Sequence, residues 1–157
     1  MKHHWIIDAY NVIHRIPRFR SRLGTALEQA RASLLKTLQG FARSQRASCT
    51  VVFDGADVAS QLPDRAGGLN IAFAKPPRKA DDVIKKLVDD LKNRSQITVV
   101  SSDLEVYRYA KASGCKVMTS EEFDAKVRAR VSSGESDQKE EPNLSAGEKE
   151  EWLNLFK

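Results

Sequence analysis

The sequence predicts an α/β fold: one mostly parallel sheet with helices on both faces. Three observations lead there. Short apolar runs bounded by polar residues (Trp5-Ile6-Ile7, Thr50-Val51-Val52-Phe53 and Ile97-Thr98-Val99-Val100) read as buried strands. Segments with apolar residues at helical spacing separate such runs, in the order β-α-β-β-α-β-α-β-α. Each of the three runs also leads into an aspartate: Asp8, Asp54 and, after two serines, Asp103. These carboxylates fall at the carboxyl edges of their strands, where open α/β sheets bind ligands.

The totals suit this reading. A chain of 157 residues, 41% apolar and 30% charged, suits one soluble globular domain with a real core. No apolar run approaches the ~20 residues needed to cross a bilayer. The start, Met1 to Trp5, enters a strand almost at once with no signal-peptide h-region, so a cytoplasmic, non-membrane protein is expected. Cys49 and Cys115 each lie beside a predicted strand and read as reduced, buried thiols. They are too isolated for a zinc site, and the histidines cluster near the N-terminus. Net charge is +5, unevenly divided. Residues 132–157 carry seven acids against three lysines, or −4, which leaves +9 on residues 1–131. A basic body suits a polyanionic partner, and it equally serves solubility.

After the first strand, His14 to Arg22 alternates arginines with apolar residues around Pro17 and reads as a surface loop or ragged helix beside Asp8. Its arginines could hold phosphates, or Ile16 and Phe19 could simply plug the core. Thr25 to Ala42 is a helix, with Leu27, Ala30, Leu34, Leu38 and Phe41 on one face and Thr25 and Glu28 as a capping box. The segment from Gly55 to Gly68 is a long loop, and Leu69 to Ala74 a short edge strand. Pro76 and Pro77 forbid helix, so the next one starts near Asp81 and buries Val83, Ile84, Leu87, Val88 and Leu91. Of its two first-turn carboxylates, Asp82 is the ordinary partner of the helix terminus. Ser102 or Asp103 caps the helix over residues 104–111, and Gly114 ends it. Lys116 to Met118 is the last strand, and a helix from Ser120 runs to about Val131. Residues 132–144 read as an acidic flexible linker, and 145–157 as a C-terminal amphipathic helix that docks on its own domain or on a partner.

If Asp8, Asp81 and Asp103 converge at one sheet edge, three carboxylates repel and raise one another's pKa. A divalent cation relieves that repulsion, and oxygen-only ligation favours Mg²⁺ or Mn²⁺. Such a cation beside a basic surface suits phosphodiester hydrolysis. Asn11 could orient a ligand or a metal-bound water. Competing machines fit worse. A phosphoaspartate phosphatase needs a second Asp where this chain has Tyr10, and a receiver domain needs a lysine after the last strand, where Thr119-Ser120 stands. No glycine-rich loop of the Walker or dinucleotide type is present, because Gly67-Gly68 precedes a strand.

Asp8-Ala9-Tyr10-Asn11-Val12-Ile13, Val51 to Gly55, Lys79-Ala80-Asp81-Asp82-Val83-Ile84 and Val99 to Asp103 together resemble the NYN domain of the PIN-like nuclease superfamily, in its YacP-like branch. The resemblance spans roughly residues 4–130, and the tail from Leu144 to Phe156 also looks like that branch's C-terminus. It implies a PIN-like three-layer α/β/α fold with strand order 3-2-1-4-5. It further implies a metal-dependent endoribonuclease acting on single-stranded RNA or mRNA, in association with ribosomes. The domain would cover residues 1–131. Asp8, Asp81 and Asp103 would bind metal, with Asn11 at the matching amide and Asp54 either a fourth ligand or a turn residue with Gly55. Arg15, Arg18, Arg20, Arg78 and Lys79 are the expected RNA contacts. Many relatives carry Glu or Thr just ahead of the Ala-Asp step, where this chain has Arg78-Lys79, which makes its acidic site leaner. The alternative is a non-catalytic RNA- or ribosome-binding module of the same fold. A DNA-directed nuclease is a third reading, because carboxylates and a metal do not themselves read a 2′-hydroxyl. No long apolar repeat is present, so a monomer is expected.

Overall fold

A computed structural model describes residues 3–17, 19, 27–54, 65–75 and 77–137, which form six strands and five helices. The strands are β1 (His4–Asp8), β2 (Ser48–Asp54), β3 (Arg65–Ala66), β4 (Leu69–Ala74), β5 (Ile97–Val100) and β6 (Lys116–Met118). The helices are α1 (Ala9–Arg15), α2 (Leu27–Gln45), α3 (Ala80–Asp90), α4 (Leu104–Ala112) and α5 (Ser120–Asp137). All strands join one sheet in the order β3-β4-β2-β1-β5-β6. Every pairing is parallel except that of the two-residue β3 with β4. Without β3, the five parallel strands have the expected order 3-2-1-4-5, counted along the chain.

Period-2 alternation of the strand residues builds two cores. Trp5, Ile7, Val51 and Phe53 point to one face, where they meet Leu34, Leu38 and Phe41 of α2 and Phe123 of α5. Trp5, Phe41 and Phe123 pack edge-on or tilted, at centroid distances of 4.9 to 6.0 Å. Such pairs add about 1 kcal/mol each beyond burial. Ile6, Val52 and Val99 point to the other face, against Ile84 and Val88 of α3 and Val106 of α4. Covered on both sides, β5 is buried at every residue, as are all but the first residue of β1. Cys49 and Cys115 are buried free thiols, and burial pushes Cys49 up to about 12. Arg94 ties the two outer helices, donating to Val88 O and Asp89 O of α3 and to Ser113 O just after α4.

The structure departs from the expected elements at three places. Helix α1 starts directly after Asp8, where only a loop or ragged helix from His14 was expected. Its buried Ala9, Val12 and Ile13 carry the i, i+3, i+4 spacing of one helical face. Ile16 and Phe19 beyond it are each 1% exposed, so they do plug the core. Residues 65–66 of the expected loop form β3, which pairs with β4 in a hairpin, so β4 is not the edge strand that was expected. Gly67 and Gly68, at φ +55° and +87°, supply the left-handed conformations that a two-residue turn requires. Finally, α5 continues to Asp137 rather than ending near Val131, so residues 132–137 of the expected linker are helical. Extending an existing helix needs no new nucleus, and no proline intervenes before Pro142. The Thr25 cap, the rest of the linker and the C-terminal helix lie outside the described residues.

Candidate active site

Strand β1 lies at the centre of the sheet, and the chain fills first one side of it (β2, β4) and then the other (β5, β6). The reversal occurs between β1 and β5, which are paired through Ile7 and Val100. Ligands of open α/β sheets bind beyond the carboxyl ends of the strands at such a switch point. There an open cavity of about 380 Å³ is bounded by Asp8, Asp54, Asp81 and Asp103, with Tyr10, Asn11, His14, Arg15 and Lys79 completing its wall.

Asp8 terminates β1 and is only 8% exposed. Its carboxylate does not cap α1. Instead Oδ2 accepts a hydrogen bond from the Ser101 hydroxyl at 2.9 Å. Burial raises the Asp8 pKa from 3.8 to about 6. The Ser101 hydroxyl and the Asn11 backbone N–H oppose that rise, and the charges of Asp103 and Asp81 add to it. Ser101 Oγ also accepts from the Asp103 backbone N–H at 3.1 Å, so one hydroxyl links two acidic residues.

Asp103 is the N-cap of α4: Oδ1 accepts from the backbone N–H groups of Glu105 and Val106 at 2.8 and 3.3 Å. Its Oδ2 has no hydrogen-bond donor among the described residues, and Asp103 lines the cavity. At the start of α3 the two carboxylates divide their work. Asp82 Oδ2 accepts from the Lys79 backbone N–H at 3.0 Å and closes the helix terminus, whereas Asp81 lines the cavity. Partial burial, then a hydrogen bond with Glu105, raises the Asp81 pKa. Glu105 is lowered, above all by Lys85 Nζ at 2.6 Å. Lys85 offsets the charge of Glu105 beside Asp81.

Asn11 Oδ1 accepts from the Ser102 backbone N–H and from Ser120 Oγ, each at 2.8 Å. That oxygen is committed to holding the β5–α4 connection and the start of α5 against α1. Ser102 Oγ in turn donates to Glu121 at 2.6 Å, and Glu121 pairs with Arg15 at 2.9 Å.

The structure therefore gathers Asp8, Asn11, Asp54, Asp81, Asp103, Arg15 and Lys79 around one cavity. Arg78 is exposed and does not line it, and Arg18 and Arg20 lie outside the described residues. Among the described residues, no three His, Cys, Asp or Glu side chains are drawn together closely enough to form a metal-binding group. Sequence reasoning did not single out Ser101, Glu105 or Glu121. The first could have been suspected from its place at the end of an apolar run. Glu105 reaches Asp81 only because α3 and α4 pack side by side, which no local pattern announces.

A family model described as the YacP-like NYN domain matches residues 5–154. No match was found among curated proteins. Two similar solved structures are crystal structures of Rae1 (YacP) from Bacillus subtilis. One, a tryptophan-to-leucine mutant, is 24% identical with a TM-score of 0.75, covering 100% of this chain and 93% of that one. The other is also 24% identical, with a TM-score of 0.70, covering 97% and 91%. At that identity the likeness concerns the fold.

Proposed function

The chain belongs to the YacP-like NYN domain family, whose fold is of the nuclease type, and from that premise we propose that it is a metal-dependent endoribonuclease of single-stranded RNA or mRNA. The observation that supports this most is the meeting of Asp8, Asp81 and Asp103 at one cavity, with Asp8 lifted to about 6 by burial and by its acidic neighbours. Such an arrangement is strained by its own charge, and an all-oxygen donor set suits Mg²⁺ or Mn²⁺. As placed among the described residues, the three carboxylates do not already form a metal-binding group, so a cation held directly by one or two of them would reach the others through its water.

Asp8, Asp81 and the uncommitted Oδ2 of Asp103 would hold the cation, with Asp54 at the rim. When bound, the cation supplies a more acidic water and offsets charge on the phosphate under attack. Asn11 and Ser101 hold the two strand ends at fixed separation, through Ser102 N–H and Asp8 Oδ2. Lys79 and Arg15 at the cavity wall, with Arg78 beside them, seat the phosphate backbone. RNA is the proposed partner of a monomeric enzyme, and the ribosome its proposed setting.

The test is cleavage of a mixed-sequence single-stranded RNA and its DNA analogue with Mn²⁺, Mg²⁺ or EDTA, comparing the wild type with Asp8→Asn. Metal-dependent RNA cuts that vanish in Asp8→Asn are expected. RNA binding without cutting in any metal would overturn the enzyme reading in favour of a non-catalytic RNA- or ribosome-binding module.

A further inference from the structure

We infer that Tyr10 and His14 form a seat for one unpaired nucleobase beside the acidic cavity, so that the strand is gripped by a base as well as by its phosphates. The inference rests on the nuclease reading for its ligand, RNA, and on a separate set of contacts for its site. Residues 10 and 14 are one turn apart on α1 and share a face of it. Their rings lie 6.4 Å apart, inclined by 50°, and both line the cavity bounded by Asp8. Tyr10 follows Asp8 by two residues and lines the same cavity, so the seat lies beside the carboxylates.

The tyrosine is built to hold still. Its ring stands edge-on to Phe53 at 5.6 Å and 73°, and Phe53 in turn stacks on Phe73 at 6.3 Å. Its hydroxyl accepts from Arg31 Nη1 at 3.3 Å, and Arg31 is itself only 7% exposed. Core packing alone would account for a tyrosine that is fully covered. Tyr10 is only half-buried, and it lines the cavity. His14 is exposed and also lines the cavity. A ring already immobilised loses little side-chain entropy when a base stacks on it. Every base has a π-face, so this seat tolerates many sequences, but it excludes a base stacked inside a duplex.

The test uses the full chain carrying Asp8→Asn, so that bound RNA is not cut, and reads the anisotropy of a labelled twelve-nucleotide RNA in Mg²⁺. Tyr10→Leu is expected to weaken single-strand binding by about 5- to 150-fold, the range that base–aromatic stacking supplies. Affinity for the same sequence as a paired duplex stays unchanged, and Tyr10→Phe, which keeps the ring, stays near its parent. A series of RNAs with a single abasic nucleotide then identifies the seated base: one position weakens binding to the parent and no longer does so in Tyr10→Leu. Unchanged single-strand affinity in a folded Tyr10→Leu protein, or no abasic position coupled to Tyr10, overturns the seat. Should Tyr10→Leu fail to fold, the exposed His14→Ala takes its place, with a smaller loss coupled to the same kind of position expected and no coupling overturning the proposal. Cleavage by the wild type with no coupled position would reject the seat and keep the nuclease. A coupled position without cleavage would do the reverse.

Discussion

At the amino end of the sheet, His3 Nε2 meets Thr98 Oγ1 at 2.6 Å and His4 Nε2 meets Thr50 Oγ1 at 2.9 Å. At the carboxyl end of the same strands, four aspartates border one cavity. Burial acts on both groups and has opposite consequences. It lowers the two histidines, with Lys116 adding to the effect on His3 and His3 to that on His4, and one ring nitrogen of each meets a threonine hydroxyl. It raises Asp8 only to about 6, so at neutral pH that carboxylate is ionised despite being nearly covered. One end is pushed toward the neutral form, and the other keeps charge that Ser101 and Asn11 offset only in part. The contrast marks the carboxyl end as the one where a cation is proposed to bind.

The largest expected effect is catalytic. Asp8→Asn should reduce metal-dependent RNA cleavage by on the order of 10³-fold, equivalent to about 4 kcal/mol of barrier, read from initial rates at pH 8. A loss of less than tenfold would show that the charge at this end is incidental. The next effect is on stability and depends on pH. A carboxyl raised from 3.8 to about 6 in the folded state contributes stability below pH 3.8, and loses it as pH rises through 6. The wild type therefore carries a penalty of up to about 3 kcal/mol above pH 6, which Asp8→Asn lacks. Urea unfolding without metal should find the variant more stable at pH 8 and the advantage gone near pH 3.5. A variant less stable at pH 8 would break the comparison.

Asn11→Ala strands the Ser102 N–H and the Ser120 hydroxyl, at a cost of about 2 kcal/mol in urea unfolding together with slower cleavage. Stability loss with full activity would separate that network from the site. The smallest effect belongs to the amino end. Thr50→Val removes the partner of His4, should cost about 1 kcal/mol, and should leave cleavage unchanged. A fall in cleavage would mean that the two ends are coupled through the sheet.

Much of this contrast was legible in the residues. Apolar runs ending in Asp8 and Asp103, combined with the carboxyl-edge rule for open sheets, lead to the cavity without coordinates. Two carboxylates in the first turn of a helix leave one to close its terminus, and Asp82, not Asp81, does so in α3. Helix α1 was harder to see, because Pro17 and the arginines obscured a seven-residue element whose buried stripe is only Ala9, Val12 and Ile13. The Gly67-Gly68 pair carried a hairpin signal, but β3 supplies only two residues to recognise it by. Ser101, Glu105 and the Asn11 contacts depend on residues from 24 to 109 positions apart meeting across the fold, as the Asn11–Ser120 bond illustrates. No window along the chain contains that information.

A cation is proposed to settle the negative charge at the carboxyl end. Thermal unfolding of the wild type and Asp8→Asn at pH 8, titrated with Mg²⁺, tests it directly. The wild-type Tm should rise by about 5 °C or more at a hundredfold excess over Kd, while Asp8→Asn stays flat. Equal shifts in both proteins, or none in the wild type, would contradict it.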